Sequence, residues 1–165
     1  MNYICSNQVT MNIKTKLREA LTEKKETELI SAFPGCGKSH FFRETKQDVL
    51  DSDSSTFDKS DFPANYIKHI KKNMGEVDII LISSHEEVRD ALVDNDLDFT
   101  LIYPDKTLKD EYIGRYEERG NEESFVKLLK SKWDEWLTDV EEQKGCKHIK
   151  LKSNEFLSDV IKNNK

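Results

Sequence analysis

Long apolar runs are missing from this sequence. No hydrophobic stretch approaches the ~20 residues that a membrane-spanning helix needs, so we expect no membrane partner. The first seven residues, Met1 to Asn7, lack the basic and apolar segments of a secretory signal. Cysteine is scarce as well, since Cys5, Cys36 and Cys146 show neither zinc-site nor disulfide spacing. A reduced, cytoplasmic setting fits these absences best.

Basic charge and arginine are also in short supply. The net charge is −6, whereas proteins that bind long nucleic acids usually present a basic face. We therefore expect a small, phosphate-bearing ligand rather than polymeric nucleic acid. For the oligomeric state we expect a monomer or homodimer. Arginine is the better bidentate phosphate ligand, so its five positions deserve tracking: Arg18, Arg43, Arg89, Arg115 and Arg119.

The apolar residues that are present recur with the periods of helices and strands. A length of 165 residues suits one domain with one core. Residues 1–26 read as a polar lead-in and a helix that carries Ile13, Leu17 and Leu21 at four-residue spacing. The main domain is then expected over residues 27–165.

Five short apolar segments alternate with helical patterns in this main domain. Such an order predicts a three-layer α/β/α sandwich with a five-stranded parallel sheet. Ligands of these sheets bind at the carboxyl ends of the strands. The strands are predicted at residues 28–32, 48–51, 77–82, 99–103 and 148–151.

Helix signals separate the strands. Ser84 with Glu87 three residues later has the form of a capping box, and Ser153 is expected to cap a closing helix. The longest pattern, residues 122–142, places Trp133, Trp136 and several aliphatic residues, including Leu128, on one face, which indicates core packing. The helices are predicted at residues 38–46, from 61 or 62 to 73, from 84 through 93, at 108–119, at 122–142 and after 153.

A glycine-rich turn lies between the first strand and the first helix. Residues 32–39, Ala-Phe-Pro-Gly-Cys-Gly-Lys-Ser, fit the pattern Gly-x4-Gly-Lys-Ser/Thr, with alanine in place of the first glycine. Glycines allow successive N–H groups to surround a phosphate, while the lysine reaches the β- and γ-phosphates and the serine binds Mg²⁺. The pattern predicts an ATP-binding loop, formed by Pro34, Gly35, Cys36, Gly37, Lys38, Ser39 and His40. Cys36 is read either as a thiol with a lowered pKa or as a small residue that fits.

With this loop, the layout resembles the nucleoside monophosphate kinase group of P-loop kinases, especially compact phage-type deoxynucleotide kinases. The resemblance covers residues 27–162, and only the loop is motif-specific. It is also carried by Asp51-Ser52-Asp53 and by a segment with Tyr103-Pro104-Asp105, Tyr112, Arg115 and Arg119-Gly120-Asn121. It implies a helical lid at about 105–121.

The resemblance implies roles for the lid arginines and for the carboxylates. Arg115 and Arg119 would steady the transferring phosphoryl group, and their four-residue spacing puts them on one helix face. The alternative is a surface helix in which Glu111 pairs with Arg115. Asp53 and Asp51 would lie opposite the loop, where Asp53 holds Mg²⁺ or either carboxylate orients the acceptor. An Asx turn or a helix cap is the alternative for these aspartates.

Two further residues are candidates for acceptor binding. Tyr66 either stacks on an acceptor base or belongs to the core. Arg89 either grips the acceptor phosphate, as the resemblance implies, or forms a salt bridge. The third strand lacks the terminal aspartate that supports Mg²⁺ in many P-loop enzymes, because it runs into Ser83, Ser84 and His85.

These observations predict an enzyme that uses ATP and Mg²⁺ to phosphorylate a nucleoside or deoxynucleoside monophosphate. Lys38 and Ser39 would bind the donor, Arg115 and Arg119 the transferring group, and Asp53 the metal or acceptor. One alternative is a kinase with a polynucleotide or modified-base acceptor. Another is a non-catalytic nucleotide-binding regulatory protein, which the missing third-strand aspartate favours.

Overall fold

The computed structural model describes residues 25–161. The helix predicted around Ile13, Leu17 and Leu21 lies outside these residues. The strands are β1 (Glu28–Ala32), β2 (Val49–Asp51), β3 (Ile79–Ile82), β4 (Thr100–Pro104) and β5 (Lys147–Leu151). The α-helices are α1 (Lys38–Glu44), α2 (Ala64–Asn73), α3 (Glu86–Asp94), α4 (Lys109–Glu118), α5 (Glu123–Glu142) and α6 (Leu157–Val160).

All five strands are parallel, in the order β2-β3-β1-β4-β5. Ile30 of β1 pairs with Leu81 of β3 on one side and with Thr100 of β4 on the other. Every residue of β3 is buried, as its continuous run of aliphatic residues predicts for a strand covered on both faces. The structure thus confirms the predicted α/β architecture with a five-stranded parallel sheet flanked by helices.

The chain crosses from strand to strand in two directions around β1. From β1 it passes over β3 to reach β2, and after β3 it passes over β1 to reach β4. Right-handed crossovers in opposite directions place their helices on opposite faces of the sheet. In line with this rule, α1 contacts α6, whereas α2 contacts α3. The carboxyl end of β1 therefore lies where the chain direction reverses, which is the usual ligand position in open sheets.

Most of the apolar face that the sequence predicts for α5 is buried, which confirms that part of the prediction. Trp133 and Leu137 are completely buried, and the Trp133 indole N–H donates to the Lys106 carbonyl at 2.9 Å. Trp136 is partly buried against the core. The placement of Leu128 on this face was wrong, because its side chain is 47% exposed. Within residues 25–161, no helix is long and apolar enough to cross a membrane.

Two predicted helix caps are wrong. His85, not Ser84, occupies the N-cap of α3, and its side chain makes no capping hydrogen bond. Ser153 does not cap α6, because Phe156 occupies that position and Ser153 Oγ instead donates to Glu111 Oε2 at 2.8 Å. At Ser153, a tertiary contact that the local pattern does not contain replaces the local capping interaction.

Candidate functional site

The turn that follows β1 depends on two glycines. Gly35 has φ 84° and Gly37 has φ 95°, both in the left-handed region that side chains disfavour. A Cβ atom on Gly35 would lie 3.0 Å from atoms of both Tyr112 and Tyr116, and one on Gly37 would lie 3.3 Å from Phe156. Glycine is therefore required here by backbone conformation and by space.

The turn is followed by backbone donors that have no partner in the part of the chain that the structure describes. The first hydrogen bond of α1 runs from Phe41 N–H to the Gly37 carbonyl at 2.9 Å. The preceding N–H groups of Lys38, Ser39 and His40 have no acceptor within the described part of the chain. All three residues line a cleft with a volume of about 1080 Å³. The cleft thus offers unpaired donors beside a lysine.

Lys38 folds back over the turn. Its Nζ donates to the carbonyl oxygen of Ala32 at 2.6 Å. Burial lowers the pKa of Lys38 below its usual value, whereas the nearby charges of Asp51 and Asp53 act in the opposite direction. The ammonium therefore lies between the turn and the carboxyl end of β2, with two carboxylates in its electrostatic range.

Arg115 reaches the same turn from α4. Its Nη1 donates to the Gly35 carbonyl at 3.2 Å and its Nη2 to Glu111 Oε1 at 2.5 Å. The guanidinium lies between the rings of Tyr112 and Phe156, 4.4 Å and 4.1 Å from their centroids. The predicted pair with Glu111 and the predicted approach to the loop are thus both present.

Arg119 lies one helical turn further along the chain. It is the exposed C-cap residue of α4, and it lines the cleft together with Arg115 and Lys38. Its charge also contributes to the lowered pKa of Lys38. Three cationic side chains, all named from the sequence, therefore converge at the carboxyl end of β1.

The two aspartates occupy the Lys38 side of the site, at the end of β2. Asp53 is the N-cap of a 3₁₀ helix (Ser54–Thr56), and its Oδ1 accepts the Ser55 N–H at 2.9 Å. This hydrogen bond lowers the pKa of Asp53, whereas burial raises that of Asp51. The alternative capping role of Asp53 is thus observed. Within residues 25–161, no three His, Cys, Asp or Glu side chains form a metal-binding group.

Tyr66 belongs to the core, so the prediction that it stacks on a base is wrong for this structure. Its side chain is completely buried. The hydroxyl donates to the Ser52 carbonyl at 2.7 Å and accepts the Ser83 N–H at 3.1 Å. The ring packs edge-on against Phe57, with the centroids 4.9 Å apart. Tyr66 therefore ties the ends of β2 and β3 together instead of facing a ligand.

Arg89 is likewise withdrawn from the acceptor side, which corrects its predicted contact with an acceptor phosphate. Its side chain is 1% exposed and forms an ion pair with Asp139 of α5. The guanidinium also donates to Gln143 Oε1 and to the Ser84 carbonyl. These contacts occupy the arginine between α3 and α5, so the salt-bridge alternative describes it.

Cys36 is a small residue that fits, and the burial of its thiol opposes the alternative of a lowered pKa. The thiol is completely buried, and burial raises its pKa to about 11 despite the nearby charges of Lys38 and Arg115. Its Sγ lies 3.5 Å from the Tyr112 hydroxyl, and its N–H donates within the turn to the Phe33 carbonyl at 3.3 Å. Cys36 is not among the residues that line the cleft.

The cleft also contains residues to which the sequence assigned no role. Arg43 follows Ser39 by four residues in α1, so helical spacing could have placed both on one face. Phe156 and Asn154 come from the segment between β5 and α6, and no local pattern indicates them. The full set of such lining residues is Arg43, Tyr116, Glu118, Asn121, Phe125, Asn154, Phe156, Ser158 and Asp159.

Fold and site together define an α/β protein with a parallel sheet and a cationic, glycine-rich turn at the carboxyl end of its central strand. Compared with protein-family models and with curated proteins, the chain matches none.

Proposed function

We propose that this protein binds a nucleoside triphosphate at the turn after β1 and transfers its terminal phosphoryl group to a nucleoside or deoxynucleoside monophosphate. One observation carries the proposal: Lys38, Arg115 and Arg119 converge on a turn whose neighbouring N–H groups find no acceptor among residues 25–161. Such a set of donors suits a polyphosphate, because transfer spreads negative charge over the phosphoryl oxygens.

Each cationic residue has a distinct task in this proposal. Lys38 now donates to the Ala32 carbonyl, and a bound phosphate would replace that carbonyl as its acceptor. Arg115 already lies on the turn, whereas Arg119 is exposed at the end of α4 and free to close over the phosphates. The cleft walls from α4 and from the segment before α6 would exclude water from the reaction.

In this proposal, Ser39 and the carboxylates at the end of β2 would hold a magnesium ion. Ser39 borders the cleft, and the carboxylates of Asp51 and Asp53 lie within the electrostatic range of Lys38. Asp53 uses one carboxylate oxygen on Ser55 N–H, which leaves the other oxygen available. Magnesium is usually held by one or two carboxylates, phosphates and water, so a larger protein cluster is not required. When bound, the ion would neutralise charge on the phosphates.

The acceptor would bind at the carboxylates that follow β2. Arg89 and Tyr66 are both committed to contacts within the fold, which leaves Asp51 and Asp53 as the polar side chains near Lys38 at the end of β2. A carboxylate there can orient an acceptor hydroxyl or take its proton. A polynucleotide acceptor is disfavoured by the net charge of −6.

A second candidate is a nucleotide-binding protein that performs no transfer. It is favoured by the absence of an aspartate at the end of β3 and by the withdrawal of Arg89 into its ion pair with Asp139. In that case the wild-type protein binds ATP but shows no phosphoryl transfer, and Lys38→Ala abolishes the binding.

The deciding experiment measures ADP release from Mg-ATP with a panel of ribo- and deoxynucleoside monophosphates. We expect one monophosphate to stimulate release and Lys38→Ala to lower kcat/KM about a hundredfold, since it removes a cation from the transferring phosphates. Lys72→Ala is the matched control, because Lys72 is an exposed lysine in the last turn of α2. That end of the helix lies by the amino edge of the sheet, away from the turn after β1. Binding of ATP without stimulation by any acceptor would reject transfer and support the second candidate.

A further inference from the structure

The carboxylate of Glu111 accepts hydrogen bonds from three residues, one on its own helix and two on a distant segment of the chain. Its Oε1 accepts from Arg115 Nη2 at 2.5 Å and from the Asn154 N–H at 3.0 Å. Its Oε2 accepts from Ser153 Oγ at 2.8 Å. Glu111 thereby joins α4 to the segment that leads from β5 into α6.

That segment also contacts the turn after β1. The Leu157 N–H donates to the Cys36 carbonyl at 2.9 Å, and the Phe156 ring lies 3.3 Å from the position of a Cβ on Gly37. The same ring covers one face of the Arg115 guanidinium. The turn, α4 and the segment at 153–157 are therefore joined through one arginine and one carboxylate.

These contacts fix the orientation of the arginine. A guanidinium is planar and carries five N–H donors in that plane. Tyr112 and Phe156 cover its two faces, and within the described residues Glu111 and the Gly35 carbonyl each accept one of its hydrogen bonds. Arg115 lines the cleft, so its remaining in-plane donors are the groups that a ligand would meet.

We infer that Glu111, anchored by Ser153 and Asn154, is a positioning residue that holds Arg115 on the turn in the orientation that receives the phosphates of the donor nucleotide. The inference rests on the proposed nucleotide site. Preorganisation of this kind avoids the ordering of a long side chain at the moment of binding.

The charge of Glu111 makes its effect on ATP binding testable. Burial opposes ionisation of Glu111, but the hydrogen bonds from Asn154 and Ser153 and the charge of Arg115 keep its pKa below its usual value. The group is therefore anionic at neutral pH. A carboxylate near the donor site repels phosphates, so removing its charge alone would strengthen ATP binding. The direct effect of the lost charge therefore cannot account for a loss of affinity on neutralisation, and the double-mutant cycle separates the arginine from a structural cause.

The experiment is a double-mutant cycle on ATP affinity, measured by calorimetry with Mg-ATP. The proteins are the wild type, Glu111→Gln, Arg115→Ala and the double variant. We expect Glu111→Gln to weaken ATP binding about tenfold, as expected for loss of a charge-assisted hydrogen bond. In the Arg115→Ala background it should not weaken binding further, because its partner is gone and the lost negative charge by itself favours ATP. Glu117→Gln, an exposed glutamate on the same helix, is the matched control and should bind as the wild type does.

The free energy of unfolding separates a positioning role from a purely structural one. A structural glutamate lowers stability and affinity equally in both backgrounds, and such additive losses overturn the inference. Wild-type affinity in Glu111→Gln overturns it too, while the proposed function stands. ATP binding without transfer rejects the proposed kinase activity. The double-mutant cycle then still tests whether Glu111 positions Arg115, because it measures only ATP affinity. No ATP binding by the wild-type protein overturns both.

Discussion

The Nζ atom of Lys38 donates a hydrogen bond to the main-chain oxygen of Ala32, six residues earlier and 2.6 Å away. In the proposed complex, Lys38 Nζ would exchange this carbonyl oxygen for a phosphate oxygen. The surrounding residues partly exclude water from the ammonium group of Lys38. Its charge should therefore change at a lower pH than that of an exposed lysine.

The first prediction concerns the pH dependence of ATP binding. Burial lowers the pKa of Lys38 from its usual 10.5, so the free protein loses the ammonium charge at a lower pH than an exposed lysine does. The charged form attracts phosphates, and ATP affinity should therefore fall as pH rises through this lowered pKa. Calorimetric titrations at increasing pH measure the effect. Lys38→Arg stays charged throughout and should show a flatter profile, whereas identical profiles would contradict the assignment.

The second prediction concerns the glycines. Gly35→Ala should lower the free energy of unfolding by about 2 kcal/mol, because φ is 84° and the new methyl group meets Tyr112 and Tyr116 at 3.0 Å. Gly37→Ala should cost about 1 kcal/mol, since the contact at 3.3 Å is with the half-exposed Phe156 ring. Urea denaturation measures both.

Gly114 provides the control for this series. It lies inside α4 and a Cβ there meets nothing within 4 Å, so Gly114→Ala should raise stability by about 0.5–1 kcal/mol. Equal costs at all three glycines would show that the turn has no special conformational demand.

The third prediction concerns the hydroxyl of Tyr116. The residue is 3% exposed, and its Oη has no hydrogen-bond partner within the described residues. Leaving such a group unpaired costs free energy, so Tyr116→Phe should raise the free energy of unfolding by about 1 kcal/mol. Thermal and urea unfolding measure it. Tyr112→Phe is the comparison, because it loses a contact with Cys36 Sγ and should not gain stability; a destabilised Tyr116→Phe would mean that the hydroxyl has a partner.

The fourth prediction separates the two partners of the ion pair between α3 and α5. Asp139→Ala should cost about 2 kcal/mol, because it leaves the buried Arg89 charge without its carboxylate. Arg89→Leu should cost less, about 1 kcal/mol, since the side chain of Asp139 is 40% exposed and water can solvate it. Both variants should keep wild-type ATP affinity. Loss of phosphoryl transfer in a fully stable Arg89→Leu protein would restore Arg89 to the acceptor site.

The order of elements could be predicted from local patterns in the sequence. β1 was predicted with its observed bounds, and the other strands within two residues at either end, because apolar runs between breakers report local burial. The rule that parallel strands share a carboxyl edge was enough to bring Lys38, Asp51 and Asp53 together. Helical spacing likewise placed Arg115 and Arg119 on one face of α4.

Partners distant in the chain were decided only by the tertiary structure. Ser153 has a local capping pattern, yet its hydroxyl bonds Glu111, 42 residues away. Tyr66 and Arg89 look equally suited to a ligand or to the fold until the positions of β3 and α5 are known. Cys36 sits in a loop by sequence, but α4 packs over it and buries the thiol. A pattern records the period of a segment, whereas burial and hydrogen-bond partners depend on which segments pack together, so the sequence determined the sheet and its loop and the packing decided what each side chain near them does.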